Sequence, residues 1–192
     1  MRKARRRRRL ALGGTVVAVG LGAGALLSVT GVLDRAIQEL TLPLRHDDVI
    51  RQQAREKDVD AALIAAVIYA ESKFVDSTSS AGARGLMQIT RDAARDIERH
   101  SGGTTFEFAD LADPEINIRY GTFLLAELLE RYEGDEVAAL AAYNAGPAHV
   151  DGWGGSGLGV GRIEFPETRA YVEEVLDKQG EYRAEYATEL GY

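Results

Sequence analysis

Cysteine is absent from these 192 residues. That excludes disulfides, thiol nucleophiles, cysteine-zinc sites and a lipid-modified N-terminal cysteine. Histidine is nearly absent too. His46, His100 and His149 are scattered, with no His-Glu-x-x-His or calcium-loop pattern, so no metal or other cofactor is expected. Proline, at four residues, and tryptophan, at one, are sparse. Positive charge is scarce outside one short run: Arg2, Lys3 and Arg5 to Arg9 hold seven of the 23 cations. The remainder carries 16 cations against 30 anions, about −14, which excludes nucleic acid as a partner of the main body. Sustained strand alternation and internal repeats are missing as well.

What is present divides the chain. Residues 1–9 form a basic N-terminus, and Leu10 to Leu33 is uncharged for 24 residues. At 1.5 Å per residue this is roughly 36 Å of helix, longer than a hydrocarbon core of about 30 Å. Six glycines lower its helix propensity but are tolerated in membrane helices. The basic flank keeps the N-terminus cytoplasmic and sends the rest across. The pattern predicts a transmembrane signal-anchor helix over 10–33 in the plasma membrane, with the following domain on the extracytoplasmic side. A cleaved signal peptide, with Ala23-Gly24-Ala25 as its small-residue site, is the alternative, and would give a secreted protein. The arginine run leaves a twin-arginine route open.

Residues 34–46 read as a juxtamembrane linker broken at Pro43. From Asp47 the pattern is helical almost throughout. Asp47 is predicted to cap a helix carrying Val49, Ile50 and Ala54. Asp60 caps Ala61 to about Glu71, and Thr90 caps Arg91 to about His100. Asp113-Pro114 is a cap followed by proline at the first helical position, and that helix runs to about Tyr132. Gly121 inside it costs about 1 kcal/mol against alanine, which points to a closely packed neighbour. Asp135 starts a further helix, stopped by Gly146-Pro147, and Pro166 opens the last one, through about Lys178. The prediction is one mostly α domain over 47–178 with a C-terminal tail, 179–192, that either docks as a short helix through Tyr182, Tyr186 and Tyr192 or frays. Gly152 to Gly161 reads as a mobile loop beside a cleft, since no strand precedes it and a nucleotide fingerprint needs one.

The chemistry centres on Glu71. Ile64, Val67 and Ile68 lie one and two turns before it, so Glu71 continues an apolar stripe. Desolvation there raises a carboxyl pKa above about 4.3 and keeps it protonated, as a general acid needs. A carboxylate exposed at a helix end, or paired with an arginine, is the alternative. Ser72 can orient Glu71 or bond a substrate. Behind it, Gly82 and Gly85 permit a tight backbone course leading to Met87, a soft apolar contact, and Gln88, a donor and acceptor. Tyr143-Asn144, just before a helix stop, pairs a ring that can stack on a sugar with an amide that can bond it. Glu167 falls in a first helical turn, where the helix dipole alone would account for it.

Five segments occur in order: Glu71-Ser72-Lys73-Phe74; Gly82-Ala83-Arg84-Gly85-Leu86-Met87-Gln88-Ile89; Asn117-Ile118 with Gly121; Ala142-Tyr143-Asn144-Ala145-Gly146-Pro147; and Glu167-Thr168-Arg169 with Tyr171-Val172. Together they resemble the catalytic domain of the soluble lytic transglycosylase (SLT) family over residues 47–178. Arg91 departs from the pattern, which usually has proline there. The resemblance implies a lysozyme-like α fold and peptidoglycan glycan strands as substrate, cut between N-acetylmuramic acid and N-acetylglucosamine. It implies Glu71 as the catalytic residue, and Gln88, Tyr143 and Glu167, with Ser72, Met87 and Asn144, around the sugar. Ordinary glycosidases use two carboxylates, and no second acid has an evident place here; Asp76 is nearest in sequence. By the resemblance, the substrate's acetamido group replaces it and a 1,6-anhydro ring closes without water. A lysozyme-type hydrolase on the same fold, or a binding module without activity, are the competing readings.

Overall fold

The structure is a computed structural model that describes residues 36–80, 82–101 and 106–192. The predicted anchor over 10–33 lies outside the described residues. The chain divides into two compact units, Met1–Pro43 and Leu44–Tyr192. Of the first, residues 36–41 form a short helix. Among the described residues no helix is long and apolar enough to cross a membrane.

The second unit is helical: α1 (Asp47–Lys57), α2 (Ala61–Ser72), α3 (Arg91–Ser101), α4 (Pro114–Arg131), α5 (Glu136–Ala145), α6 (Pro147–Trp153), α7 (Pro166–Glu185) and α8 (Ala187–Leu190). Isolated bridges pair Thr78 with Arg84 and Arg84 with Ile89. The aspartate caps do what their chemistry allows. Asp60 accepts from the Leu63 amide (2.8 Å), and Asp113 accepts from Glu115 and Ile116 (2.9 and 3.2 Å). Each satisfies amides that the first helical turn leaves unpaired. The cap predicted at Asp47 is one residue off. His46 occupies it in a left-handed conformation (φ 57°), and Asp47 sits inside the first turn, where it pairs with Arg51.

α2 is the central helix, with Ala61 through Ile68 all buried. It packs most extensively against α7, while α5 bridges α4, α6 and α7. Burying Leu63, Ile64, Val67 and Ile68 contributes about 1.5–3 kcal/mol each. That is what holds the last turn of α2, with Glu71, deep in the domain.

The boundary at 178 falls inside α7, which continues to Glu185. Its buried stripe, Thr168, Tyr171, Val172, Val175, Gln179 and Tyr182, keeps a three-four spacing straight through that point. Tyr182 is fully buried, with its ring 6.3 Å from Tyr69 and 6.1 Å from Phe74. The residues read as a tail therefore belong to the packed unit. Tyr192 accepts from the Ala62 amide (3.0 Å) and donates to Asp60 (2.9 Å), and Arg183 pairs with the same carboxylate. Gly180 lies within α7, where its neighbours' burial outweighs a propensity loss of about 1 kcal/mol.

The glycine-rich loop is also more anchored than its composition suggests. One Asp135 oxygen accepts from Gly157 and Leu158 (2.7 and 3.1 Å) while the other caps α5 at Ala138 (3.1 Å). Leu158 is buried, and Arg162 donates to the Trp153 carbonyl (2.7 Å).

Candidate active site

Glu71 lies in the last turn of α2, mostly buried, and its pKa is pushed up to about 7. Burial is the larger cause, because a charged carboxylate loses its hydration. Tyr171 on α7 opposes it, because its neutral hydroxyl favours the charged form. The Tyr171 hydroxyl is buried and makes no bond of normal geometry, yet it lies beside the carboxylate, positioned to donate to it. On α5, the Tyr143 hydroxyl donates to the Met87 carbonyl (2.9 Å). Burial, then the charge of Glu71, holds both phenols well above their ordinary pKa. They remain neutral donors across the range in which Glu71 titrates.

The other wall is the turn Gly85–Gln88. Arg84 and Ile89 exchange both main-chain hydrogen bonds at 3.0 Å and close its base. Gly85 has φ 77°, and a Cβ there would lie 2.0 Å from Asn117 Nδ2 and 2.5 Å from the Leu111 carbonyl. Only glycine meets both demands. Asn117, fully buried on α4, clamps the turn. Its Oδ1 accepts from Met87 N (2.8 Å), and its Nδ2 donates to the carbonyls of Arg84 (2.9 Å) and Leu111 (3.0 Å). The Met87 side chain is fully buried against Gly121, where a Cβ would come within 2.3 Å of its sulfur. That is the close neighbour predicted at Gly121.

Ser72 ties the two walls together. Its hydroxyl lies 2.7 Å from the Leu86 carbonyl and 3.1 Å from that of Ile68. Both are acceptors, so its proton is committed internally. Gln88 is held in the left-handed region (φ 47°), a strained position for a side-chain residue. Its amide donates to Ser77 O (3.1 Å) and Gly85 O (2.8 Å), leaving its oxygen to accept. Asn144 is exposed at the end of α5, and its Oδ1 accepts from Thr168 (2.7 Å). That bond joins the end of α5 to the start of α7, where Glu167, next to Thr168, is exposed.

Glu71, Ser72, Tyr143 and the Met87 main chain thus converge. Gln88 follows Met87 on the turn, Asn144 and Glu167 lie exposed where α5 ends and α7 begins, and the Met87 side chain faces the core. Two contributors had no assigned role in the sequence. Tyr171 was signalled by a hydroxyl on the apolar stripe of α7. Asn117 was signalled only by a polar side chain in the buried register of α4.

The model of the Transglycosylase SLT domain matches residues 48–160. The chain belongs to this family. A soluble lytic murein transglycosylase of Salmonella typhimurium is 33% identical over 154 residues, covering 76% of this chain and 24% of the relative. A membrane-bound lytic murein transglycosylase F of Cellvibrio japonicus is 35% identical over 107 residues, covering 54% and 21%. Among solved structures, an inactive glutamate-to-glutamine mutant of the lytic transglycosylase Slt from Pseudomonas aeruginosa superimposes with TM-score 0.72 at 30% identity, covering 78% of this chain and 26% of that one. The SLT domain here, lysozyme-like and mostly helical, spans about a quarter of the length of the soluble relatives it matches.

Proposed function

We propose that this SLT domain is a peptidoglycan lytic transglycosylase with Glu71 as its single catalytic acid and base. The observation that carries the reading is the environment of Glu71. It is mostly buried in the last turn of α2, and burial pushes its pKa up to about 7. A retaining or inverting pair uses a second carboxyl about 5–9.5 Å away, and no second acid in the sequence has an evident place beside Glu71. A pKa near 7 also suits a group that must first give a proton and then take one.

Protonated Glu71 donates to the glycosidic oxygen that joins C1 of N-acetylmuramic acid to C4 of N-acetylglucosamine. The C1–O bond breaks with its electron pair on the leaving oxygen. The acetamido oxygen of the muramic residue stabilises C1. Glu71, now a carboxylate, accepts the C6 hydroxyl proton as O6 bonds to C1, which closes the 1,6-anhydro ring and restores the acid. Tyr171 hydrogen-bonds the carboxylate between these steps. Ser72 holds the Gly85–Gln88 turn against α2 and Tyr143 holds it against α5, and the Gln88 oxygen, the Asn144 amide and Glu167 line the sugar groove. The relatives' names, and the inactivity of a glutamate-to-glutamine mutant in one of them, support the assignment.

The test is mass spectrometry of digested sacculi. Anhydro-muramic ends are expected; reducing ends would replace this reading with a hydrolase. We further propose that residues 10–33 anchor the chain in one pass with the SLT domain outside the cytoplasm. The uncharged length and basic flank support this, as does a relative named membrane-bound. Fractionation with N-terminal sequencing should find the intact N-terminus in membranes; a mature N-terminus near Leu26 in the soluble fraction would overturn it.

A further inference from the structure

On the outer flank of the Gly85–Gln88 turn two guanidiniums share one ring. Arg91 lies 4.2 Å from the Phe108 ring centroid and Arg84 lies 5.9 Å from it. Both distances are within the reach of cation–π attraction. Among the described residues neither guanidinium pairs with a carboxylate within 4.0 Å, whereas Arg95 beside them is paired with Asp92 at 3.5 Å. A cavity of about 140 Å³ opens there, walled by Arg91, Ala94, Arg95, Glu98, Phe106 and Phe108. In a body carrying about −14 overall, two unpaired cations on one face are a local reversal of sign. Glu98 is the cavity's acid, and Asp110, on the same turn as Phe108, is occupied with the Glu107 amide (2.9 Å). Holding two like charges against one ring leaves repulsion that a bound anion relieves. The planar fork of arginine matches a carboxylate.

The position says which anion. Arg84 precedes Gly85, and two residues on, Leu86 accepts from Ser72, the neighbour of Glu71. The patch therefore flanks the turn that forms one wall of the proposed site. A stem of about four residues, extended at roughly 3.5 Å each, reaches about 14 Å from the sugar that carries it. We infer that Arg84 and Arg91, presented on Phe108, bind a free carboxylate of the peptide stem on the muramic residue and so select strands with unamidated stems. The inference rests on the proposed peptidoglycan reading and adds a specificity determinant to it.

The test compares the full chain with R84Q/R91Q on three strands: free-carboxylate stems, amidated stems, and stem-free glycan. Main-chain bonds of Arg84 are untouched, and thermal unfolding checks the fold. On free-carboxylate strands the variant should raise KM about 3- to 10-fold with kcat unchanged, the range for two partly exposed charge pairs. On the other two strands, KM should not move. F108L, which removes the platform and keeps both charges, should give a smaller rise on the same strand only. Equal rises on all three strands, or none, overturn the inference. Sacculi stripped of phosphate polymers make a further arm: if stripping abolishes the difference, the anion is a wall phosphate and the stem assignment is wrong. Direct titration of soluble stem-bearing fragments into E71Q, with and without R84Q/R91Q, reads binding without cleavage. Loss of cleavage alone then counts against the proposed function, and loss of discrimination counts against this site.

Discussion

Replacing Glu71 with glutamine should make the protein more stable as the pH rises. The folded carboxyl titrates at about 7 against an ordinary value of 4.5. Below 4.5 the group is protonated in both states and has no differential effect. Between 4.5 and about 7 the unfolded chain ionises while the folded chain resists, so stability is lost as pH increases. Above 7 the loss is complete. The gap of about 2.5 pH units corresponds to about 3 kcal/mol at 1.36 kcal/mol per unit. Glutamine keeps the volume and never ionises, so the advantage of E71Q over wild type should grow by about 3 kcal/mol between pH 4 and pH 8. Urea unfolding at several pH values measures it, and taking the difference between two chains cancels every other titrating group. The same substitution should abolish release of anhydro-muramic products. A difference that stays flat with pH would refute burial as the device that tunes Glu71, whatever happens to activity.

Three further outcomes follow from the site. Y171F removes a donor that lowers the Glu71 pKa, so the alkaline limb of the pH–rate profile, where the acid form disappears, should move upward from about 7; an unmoved or lowered limb would contradict the contact. N117D puts an acceptor where two carbonyls need a donor. It should cost about 2–6 kcal/mol at neutral pH, from about 1–3 for each orphaned carbonyl. Burial raises the new acid's pKa, so the deficit should shrink as pH falls toward about 4, and a pH-independent loss would argue otherwise. G121A sets overpacking of about 1–3 kcal/mol against a helix-propensity gain of about 1. It should lower Tm by a few degrees and slow turnover by shifting the Met87 carbonyl from Tyr143; a rise in Tm would count against the close approach.

The helices and most caps were legible because each is specified locally. Asp60, Asp113 and Asp135 act on amides two or three residues away. Glu71 was legible because an unbroken apolar helix carries it. What stayed hidden depends on residues far apart in the chain. The hydroxyl of Tyr171 meets Glu71 only because α7 packs on α2. Asn117 finds the turn 30 residues upstream. The last helix was expected to end at about Lys178, whereas the burial of Tyr182, which carries it on to Glu185, is a non-local contact. Met87 looked like a groove residue because nothing in a sequence says which way a turn faces.

The clasp at the start of α2 bears on how the protein is made. Asp60 and Arg183 are 123 positions apart. At about 5–20 residues per second, a ribosome takes roughly 6–25 s to cover that interval. Throughout it, the helix carrying Glu71 has neither α7 on its apolar face nor Tyr192 at its first turn. Until α7 is made, Leu63, Ile64, Val67 and Ile68 have no partner on that side, and the last turn of α2, with Glu71, is not yet enclosed. The site is therefore assembled late, from both ends of the packed unit.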